Sequence, residues 1–414
     1  LAVAVSAVLP VFAVYPMPIQ TATETEAVYL FNADTGKTLL TQNADQPRYV
    51  ASLTKMMTAL LLLESGKDLN GEVTVPTDLT QEFKDIQNAN GTTMGLRIGE
   101  TVRRIDLLNA LLITSANDAA SVIAWDVGGS LNAFIQQMNA RAAELGCTSA
   151  TFTCAHGLYD YGNVASAEDM AKIAAACAAN ETFAQVAGST TYTLGQTNFH
   201  SEQRTISSSN PLMDASGAYY KDSVKWVKGG FTTLAGRCAV ALDQKDGHTY
   251  GLVILGSDSN EHLYSECDEL FDWAFASFAD RPLVDTQTVV TTVDLTKCRT
   301  HPEVELYAAA PVSGYGHADD KVSYSFDLPE SVSATVKNGQ KLGTATVYLD
   351  GCEVGQVDLV THQEYVSDFR TDSRSTLLLL AALAVILLVL SVVTLACGGG
   401  SLNLNRRRRM KRRR

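Results

Sequence analysis

Basic charge is scarce through most of this sequence. Lys and Arg number 32 against 45 Asp and Glu, for a net charge of −13. Eight of the basic residues crowd into the last nine positions, "RRRRMKRRR"; without them the net charge is −21. A surface that holds nucleic acid must present positive charge to phosphates, so nucleic acid is excluded as a partner of the main body. The eight cysteines (147, 154, 177, 238, 267, 298, 352 and 397) contain no C-x-x-C, and the seven histidines contain no H-E-x-x-H. Thiol-redox and helical zinc signatures are therefore missing, and no cofactor or metal is expected. Cys397 closes an apolar run, which leaves seven cysteines elsewhere, an odd number that cannot all pair within one chain. They read as small buried residues rather than as a disulfide framework. With 46% apolar and 19% charged residues over 414 positions, the composition supports a sizeable core in two or three domains.

Charge is also missing from two apolar runs. "LAVAVSAVLPVFAVYP" (1–16) reads as the core of a secretory signal without its basic leading segment, so residues 1–22 are expected to be a signal-peptide remnant. "TLLLLAALAVILLVLSVVTLAC" (376–397) lacks both charge and Pro and matches the roughly 20 apolar residues that cross a bilayer. The Arg-rich tail (398–414) follows it, and clustered Arg beside a span marks the cytoplasmic side. The expectation is a single-pass C-terminal anchor in the cell membrane, with everything before it outside the cytoplasm. A nucleic-acid-binding tail is the rival reading of the Arg run, weakened by its place beside the span.

Between these runs the texture changes once. Residues 26–48 read as two strands about an Asp34-Thr35-Gly36 turn, followed by a helix from Ser52 to Glu64 that ends at Ser65-Gly66. The stretch 102–185 is rich in Ala and Leu and reads as several helices, including 131–146 with its terminal Gly. Strands are expected at 189–198, 224–234, 237–243 and 249–257, the last two flanking Lys245-Asp246-Gly247, and an amphipathic helix at 261–278. Strands, a helical block, more strands and a closing helix predict an α+β domain over residues 23–283, an antiparallel sheet flanked by helices with an inserted helical block. Past 283 helical patterning disappears. Residues 284–362, with Asn-Gly and Asp-Gly turns between alternating runs, predict a small all-β domain, and 363–375 a polar stalk.

Three polar clusters interrupt the apolar pattern. Ser52 and Lys55 in "ASLTKMM" share a helix face. A Lys amine kept neutral by burial can take a Ser proton, and the helix N-terminus favours the developing alkoxide. Taken alone, Ser-x-x-Lys is weak, since a chain of this size holds roughly one by chance. Ser115 and Asn117 in "ITSANDAAS" fall at a break between helices, either as a polar turn in which Asp118 caps the next helix or as a proton-shuttling hydroxyl and a substrate-binding amide. Lys228 in "VKWVKGGFTT" precedes two glycines in a strand, which marks either a bulge or an edge that another backbone approaches closely.

Ser-x-x-Lys, Ser-x-Asn and Lys-x-Gly in this order form one set in penicillin-binding proteins and serine β-lactamases. With "LFNADTGKTLLTQNADQPRYVASLTKMMTALLLLE", "GETVRRIDLLNALLITSANDAA", "AHGLYDYGNVASAEDMAKIA" and "VKGGFTTLAGRC", the chain resembles the D-alanyl-D-alanine carboxypeptidases, the low-molecular-weight penicillin-binding proteins. The resemblance covers about residues 25–280 and continues into "VKNGQKLGTATVYLDG". It implies a β-lactamase/transpeptidase-like fold, with peptidoglycan stem peptides and β-lactam antibiotics as partners and the membrane as anchor. It makes Ser52 the acylated nucleophile, Lys55 its base and Ser115 a further catalytic hydroxyl. Asn117, Lys228, Gly230 and Phe231 become substrate-binding residues, with the Ser52 and Phe231 N–H groups as oxyanion hole. His156 matches a family His-Gly-Leu segment, as a cleft residue or as a structural histidine.

Two positions depart from the family pattern. Gly229 stands where the family has Thr, and "LGSDSNEH" lacks an Arg expected after the hairpin. Both lie on the side of substrate-carboxylate recognition. One lost bond to a charged group costs about 1.5–3 kcal/mol, or roughly tenfold to a hundredfold in rate. A serine carboxypeptidase is therefore expected, with a catalytically weak or inactive peptidoglycan-binding homologue as the alternative. A serine β-lactamase fits the β module and anchor less well.

Overall fold

The computed structural model describes residues 15–24, 26–159, 161–367 and 372–398; the expected signal remnant up to residue 14 and the basic tail from 399 lie outside the described residues. The chain divides into two compact units, up to Ala279 and from Asp280 onward.

In the first unit, β1 (Ala27–Asn32) and β2 (Thr38–Gln42) flank the expected turn. The Asn32 side chain accepts from the N–H groups of Asp34 and Thr35, and Gly36 takes φ +74°, so turn chemistry and glycine freedom act together. The chain then leaves the sheet for α1 (Lys55–Glu64), α2 (Thr80–Asn88), α3 (Arg104–Ile113), α4 (Asn117–Gly128), α5 (Leu131–Glu144), α6 (Ala167–Ala178) and α7 (Glu181–Ala187). It returns with β3 (Val224–Thr232), β4 (Gly236–Lys245), β5 (His248–Ser257) and α8 (Asn260–Ser277). The sheet order is β2-β1-β5-β4-β3, antiparallel throughout. The β4–β5 hairpin closes Lys245 against His248 through Asp246 and Gly247, both at positive φ (+53° and +86°), the two-residue turn whose twist suits adjacent strands.

The core explains the layering. Val253 and Leu255 of β5 join the apolar cluster of the helical block, while the alternate residues Leu252 and Ile254 are equally buried. Both faces of the central strands are therefore covered; α8 packs on β4 and β5, and α6 on β1 and β5. Helix α1 is apolar nearly all round and is buried among α3, α4 and α6, as such a helix must be. Strand β3 is left at the sheet edge, beside the 3₁₀ turn that leads into α1.

The second unit is a sheet of β6 (Val289–Thr296), β7 (Glu303–Ala308), β8 (Val322–Asp327), β9 (Ser331–Ser333), β10 (Lys341–Leu349) and β11 (Cys352–Val360), in the order β8-β10-β11-β7-β6-β9. Val293, Leu295, Val304, Leu306, Val347 and Leu359 form its core. The Asp-Gly turn is again two residues, Asp350 and Gly351 at φ +50° and +82° between paired Leu349 and Cys352. Helix α9 (Asp372–Gly398) carries a segment, Ser375–Leu395, long and apolar enough to cross a membrane, with exposed Leu, Ile and Val side chains. The seven cysteines from Cys147 to Cys352 are all free thiols, five of them buried.

Candidate active site

Ser52 does not sit on the α-helix itself. It lies in the 3₁₀ turn Ala51–Thr54, and Lys55 is the first residue of α1. The tighter winding helps the pair, because residues three apart eclipse in a 3₁₀ turn. Ala51 enters this turn at φ +46°, a conformation unfavourable for a residue with a Cβ. The bare backbone of Gly157 packs on it so closely that a Cβ there would fall 1.8 Å from the Ala51 carbonyl oxygen. Asn163 Nδ2 donates to Thr54 Oγ1 (2.7 Å), and Thr54 Oγ1 donates back to the Ala51 carbonyl (2.8 Å). The strained turn is thus held from two sides.

Lys55 Nζ is fully buried and touches three oxygens: Ser52 Oγ at 3.0 Å, Asn117 Oδ1 at 2.8 Å and the His156 carbonyl at 2.6 Å. The last two only accept. A neutral amine spends its two hydrogens on them and turns its lone pair to Ser52, whose hydroxyl then donates. Burial, helped by repulsion from Lys228, holds the Lys55 pKa well below the usual lysine range. Asn117 is oriented by its own Nδ2, which donates to the Thr92 carbonyl (2.9 Å).

Ser115, between α3 and α4, takes φ +60° and accepts a hydrogen bond from Lys228 Nζ at 3.0 Å; Lys228 also donates to the Gly229 carbonyl at 2.7 Å. Burial brings the Lys228 pKa down to about 7. Gly230, next on β3, is required by approach: a Cβ would lie 2.9 Å from the Ser52 nitrogen, so its absence lets the strand backbone of residues 230–231 come up beside Ser52. Phe231 then points outward, 52% exposed. These residues line one cleft of about 740 Å³ together with Ser52, Ser115 and Asn117.

Two expectations change. Asp118 is more than a cap: it accepts from Ala119 N–H, but also from the N–H groups of Met94, Gly95 and Leu96 at 3.0 Å. Its carboxylate therefore pins the loop that supplies Thr92. His156 contributes its carbonyl to Lys55, while its ring is buried and occupied. Its Nδ1 accepts from Leu158 N–H at 3.0 Å, which leaves Nε2 to donate to Glu82 at 2.9 Å. Glu82, Gly157 and Asn163 escape a reading of sequence alone, because their roles are to position backbone far from them in the chain. The only hint is the "AHG" segment itself.

A family model described as D-alanyl-D-alanine carboxypeptidase matches residues 16–259, and one described as the C-terminal domain of penicillin-binding protein 5 matches residues 278–367. The chain belongs to the D-alanyl-D-alanine carboxypeptidase family. It is accordingly an enzyme of the serine hydrolase class. The D-alanyl-D-alanine carboxypeptidase DacF of Bacillus subtilis is 27% identical over 333 residues, covering 80% of this chain and 83% of that protein. DacC of Escherichia coli is 28% identical over 348 residues, covering 81% and 83%. The crystal structure of penicillin-binding protein 5 from Haemophilus influenzae covers 85% of this chain and 100% of its own, at TM-score 0.60 and 24% identity, a likeness of fold. Against the carboxypeptidase pattern, Gly229 has room for a side chain: a Cβ there would meet nothing closer than Asn210 Nδ2 at 3.7 Å and Tyr264 Oη at 3.8 Å, ordinary contact distances. Asp258 and His262, an exposed pair at 2.6 Å, occupy the stretch without the expected Arg.

Proposed function

We propose that this carboxypeptidase removes the terminal D-alanine from peptidoglycan stem peptides through an acyl-enzyme on Ser52. The observation that carries the reading is the Lys55 amine 3.0 Å from Ser52 Oγ, with both its other partners acceptors only. Lys55 takes the hydroxyl proton as Ser52 Oγ bonds to the penultimate D-Ala carbonyl carbon. The N–H groups of Ser52 and Phe231 receive the oxyanion. The C–N bond breaks, the proton passes to the departing amine with Ser115 and Lys228 as its relay, and D-alanine leaves. Lys55 then draws a proton from water, whose oxygen attacks the ester and frees the shortened peptide and Ser52. A β-lactam acylates the same oxygen by opening its ring. Asn117 and Lys228 line the substrate path, and the edge of β3 offers backbone groups to an extended peptide.

The apolar part of α9 anchors the enzyme in the cell membrane, and the Arg-rich tail keeps that end cytoplasmic, so the cleft works outside the cytoplasm. The preserved Ser52–Lys55–Asn117 contacts argue against the binding-only alternative. The test uses the full chain in detergent micelles, given a fluorescent penicillin and then an acyl-D-Ala-D-Ala peptide. Labelling and D-alanine release are expected, both lost in Ser52→Ala. Labelling without release points to the binding-only homologue; labelling that survives Ser52→Ala overturns the nucleophile.

A further inference from the structure

Arg237 is the one arginine, among the described residues, that lines the cleft holding Ser52, Gly229 and Gly230. Its side chain makes no hydrogen bond or ion pair among the described residues. Among the described residues no Asp or Glu lines that cleft, although the chain carries a net charge of −13. A guanidinium without a carboxylate partner among those residues suits an anionic ligand.

Strand register says where its charge falls. Across the β3–β4 pair, Phe231 faces Arg237 and Gly229 faces Ala239. Gly229, Phe231, Arg237 and Ala239 therefore share one face, with Gly229 and Arg237 as diagonal neighbours within reach of a long side chain. The guanidinium carbon lies 3.8 Å from the centre of the Phe231 ring, a cation–π contact that holds the arm extended over the strand. The space beside Gly229 opens toward Tyr264 Oη and Asn210 Nδ2, which lie 3.4 Å apart, and the charge of Arg237 reaches the Tyr264 hydroxyl.

We propose that Arg237 is the carboxylate anchor of this enzyme: it receives the C-terminal carboxylate of the peptide over Gly229, replacing the Thr hydroxyl and the Arg that the family pattern supplies from other positions. Phe231 is its positioning residue. This assignment rests on the carboxypeptidase reading above, and the test separates the two. The full chain in detergent, in a Ser52→Ala background that blocks turnover, is titrated calorimetrically with an acyl-D-Ala-D-Ala peptide and with its C-terminal amide. The acid is expected to bind at least tenfold tighter than the amide. Arg237→Gln should remove most of that preference and leave only the part that Lys228 supplies, Arg237→Lys should restore some of it, and amide binding should stay level in all three, which also reports that each variant is folded. Equal binding of acid and amide by the parent, or an undiminished preference in Arg237→Gln, overturns the anchor. D-alanine release by the wild-type chain is measured separately. A chain that binds acid over amide through Arg237 yet releases no D-alanine keeps the anchor and loses the hydrolase reading.

Discussion

The two walls of the cleft are built on different terms. On the α1 side the polar groups around Ser52 have fixed partners: Lys55 Nζ has three, Asn117 is engaged at both ends of its amide, and the His156 ring is held by Leu158 and Glu82. On the β3–β4 side a glycine leaves room for a side chain, an aromatic ring is exposed and an arginine side chain is unpaired. Chemistry tolerates little displacement, and a misplacement of about 1 Å can cost a hundredfold in rate. Recognition of a charged end group can be met by several placements of a cation. The wall proposed to break and form bonds keeps the residues of the family pattern, and the wall proposed to read the substrate is where this chain departs from it.

Breaking the first wall should have the largest effect. Lys55→Met keeps the apolar stem of the side chain but offers no lone pair to Ser52 and no donor to Asn117 Oδ1 and the His156 carbonyl. Acylation by penicillin, followed by stopped-flow fluorescence, is expected to fall about 10³-fold, with the thermal midpoint lowered by the two acceptors left unpaired. A loss below tenfold would remove Lys55 from the role of base.

The neighbouring glycines of β3 sharpen the comparison within three residues. Gly230→Ala drives a Cβ to 2.9 Å from the Ser52 nitrogen and 3.2 Å from the Ala51 Cβ. Acylation should drop about a hundredfold as the strand retreats from the nucleophile. Gly229→Ala makes only ordinary contacts, at 3.7–3.9 Å, and should leave the rate within about twofold. Equal losses in both would mean that strand backbone, not approach to Ser52, sets the requirement.

Much of this was legible in the residues. The Asp-Gly pairs announced both two-residue hairpin turns, because few other dipeptides accept two positive φ values. The apolar periodicity places the helical block, and the motif order singles out Ser52, Lys55, Ser115, Asn117 and Lys228 as candidates that the fold gathers at one cleft. Two kinds of information were not legible. The start of α1 as a 3₁₀ turn depends on Gly157 and Asn163, about a hundred residues downstream, and no local propensity encodes that contact. The importance of Arg237 depends on cross-strand register and on what does not pair with it, and both are properties of the folded chain.

Proton binding probes the β3–β4 wall next. Burial brings the Lys228 pKa down to about 7. An anion docking beside Lys228 favours its protonated form, so affinity for the acid-terminated peptide should be level below about pH 7 and fall above it, by up to tenfold per unit. The C-terminal amide should show no such slope. The stability sign follows from the same lowering: the unfolded chain keeps this proton to about 10.5, the folded one only to about 7. Wild type should therefore gain stability relative to Lys228→Met as pH rises from 7 toward 10, and carry the full penalty below 7. Thermal melts across that range read the difference directly.

The smallest expected effect is a gain. Gly229→Thr restores a hydroxyl at a position where the nearest atoms to a new Cβ are 3.7–3.9 Å away, an ordinary contact distance that needs no rearrangement. A single added bond to a carboxylate is worth about 1.5 kcal/mol, so D-alanine release from an acyl-D-Ala-D-Ala peptide should rise about tenfold, chiefly through KM. Two outcomes carry different lessons. A full tenfold gain in both wild-type and Arg237→Gln backgrounds means that hydroxyl and guanidinium act independently on the carboxylate. A gain confined to the Arg237→Gln background means that they compete for the same oxygen, and that the missing side chain at Gly229 is what lets the arginine reach it.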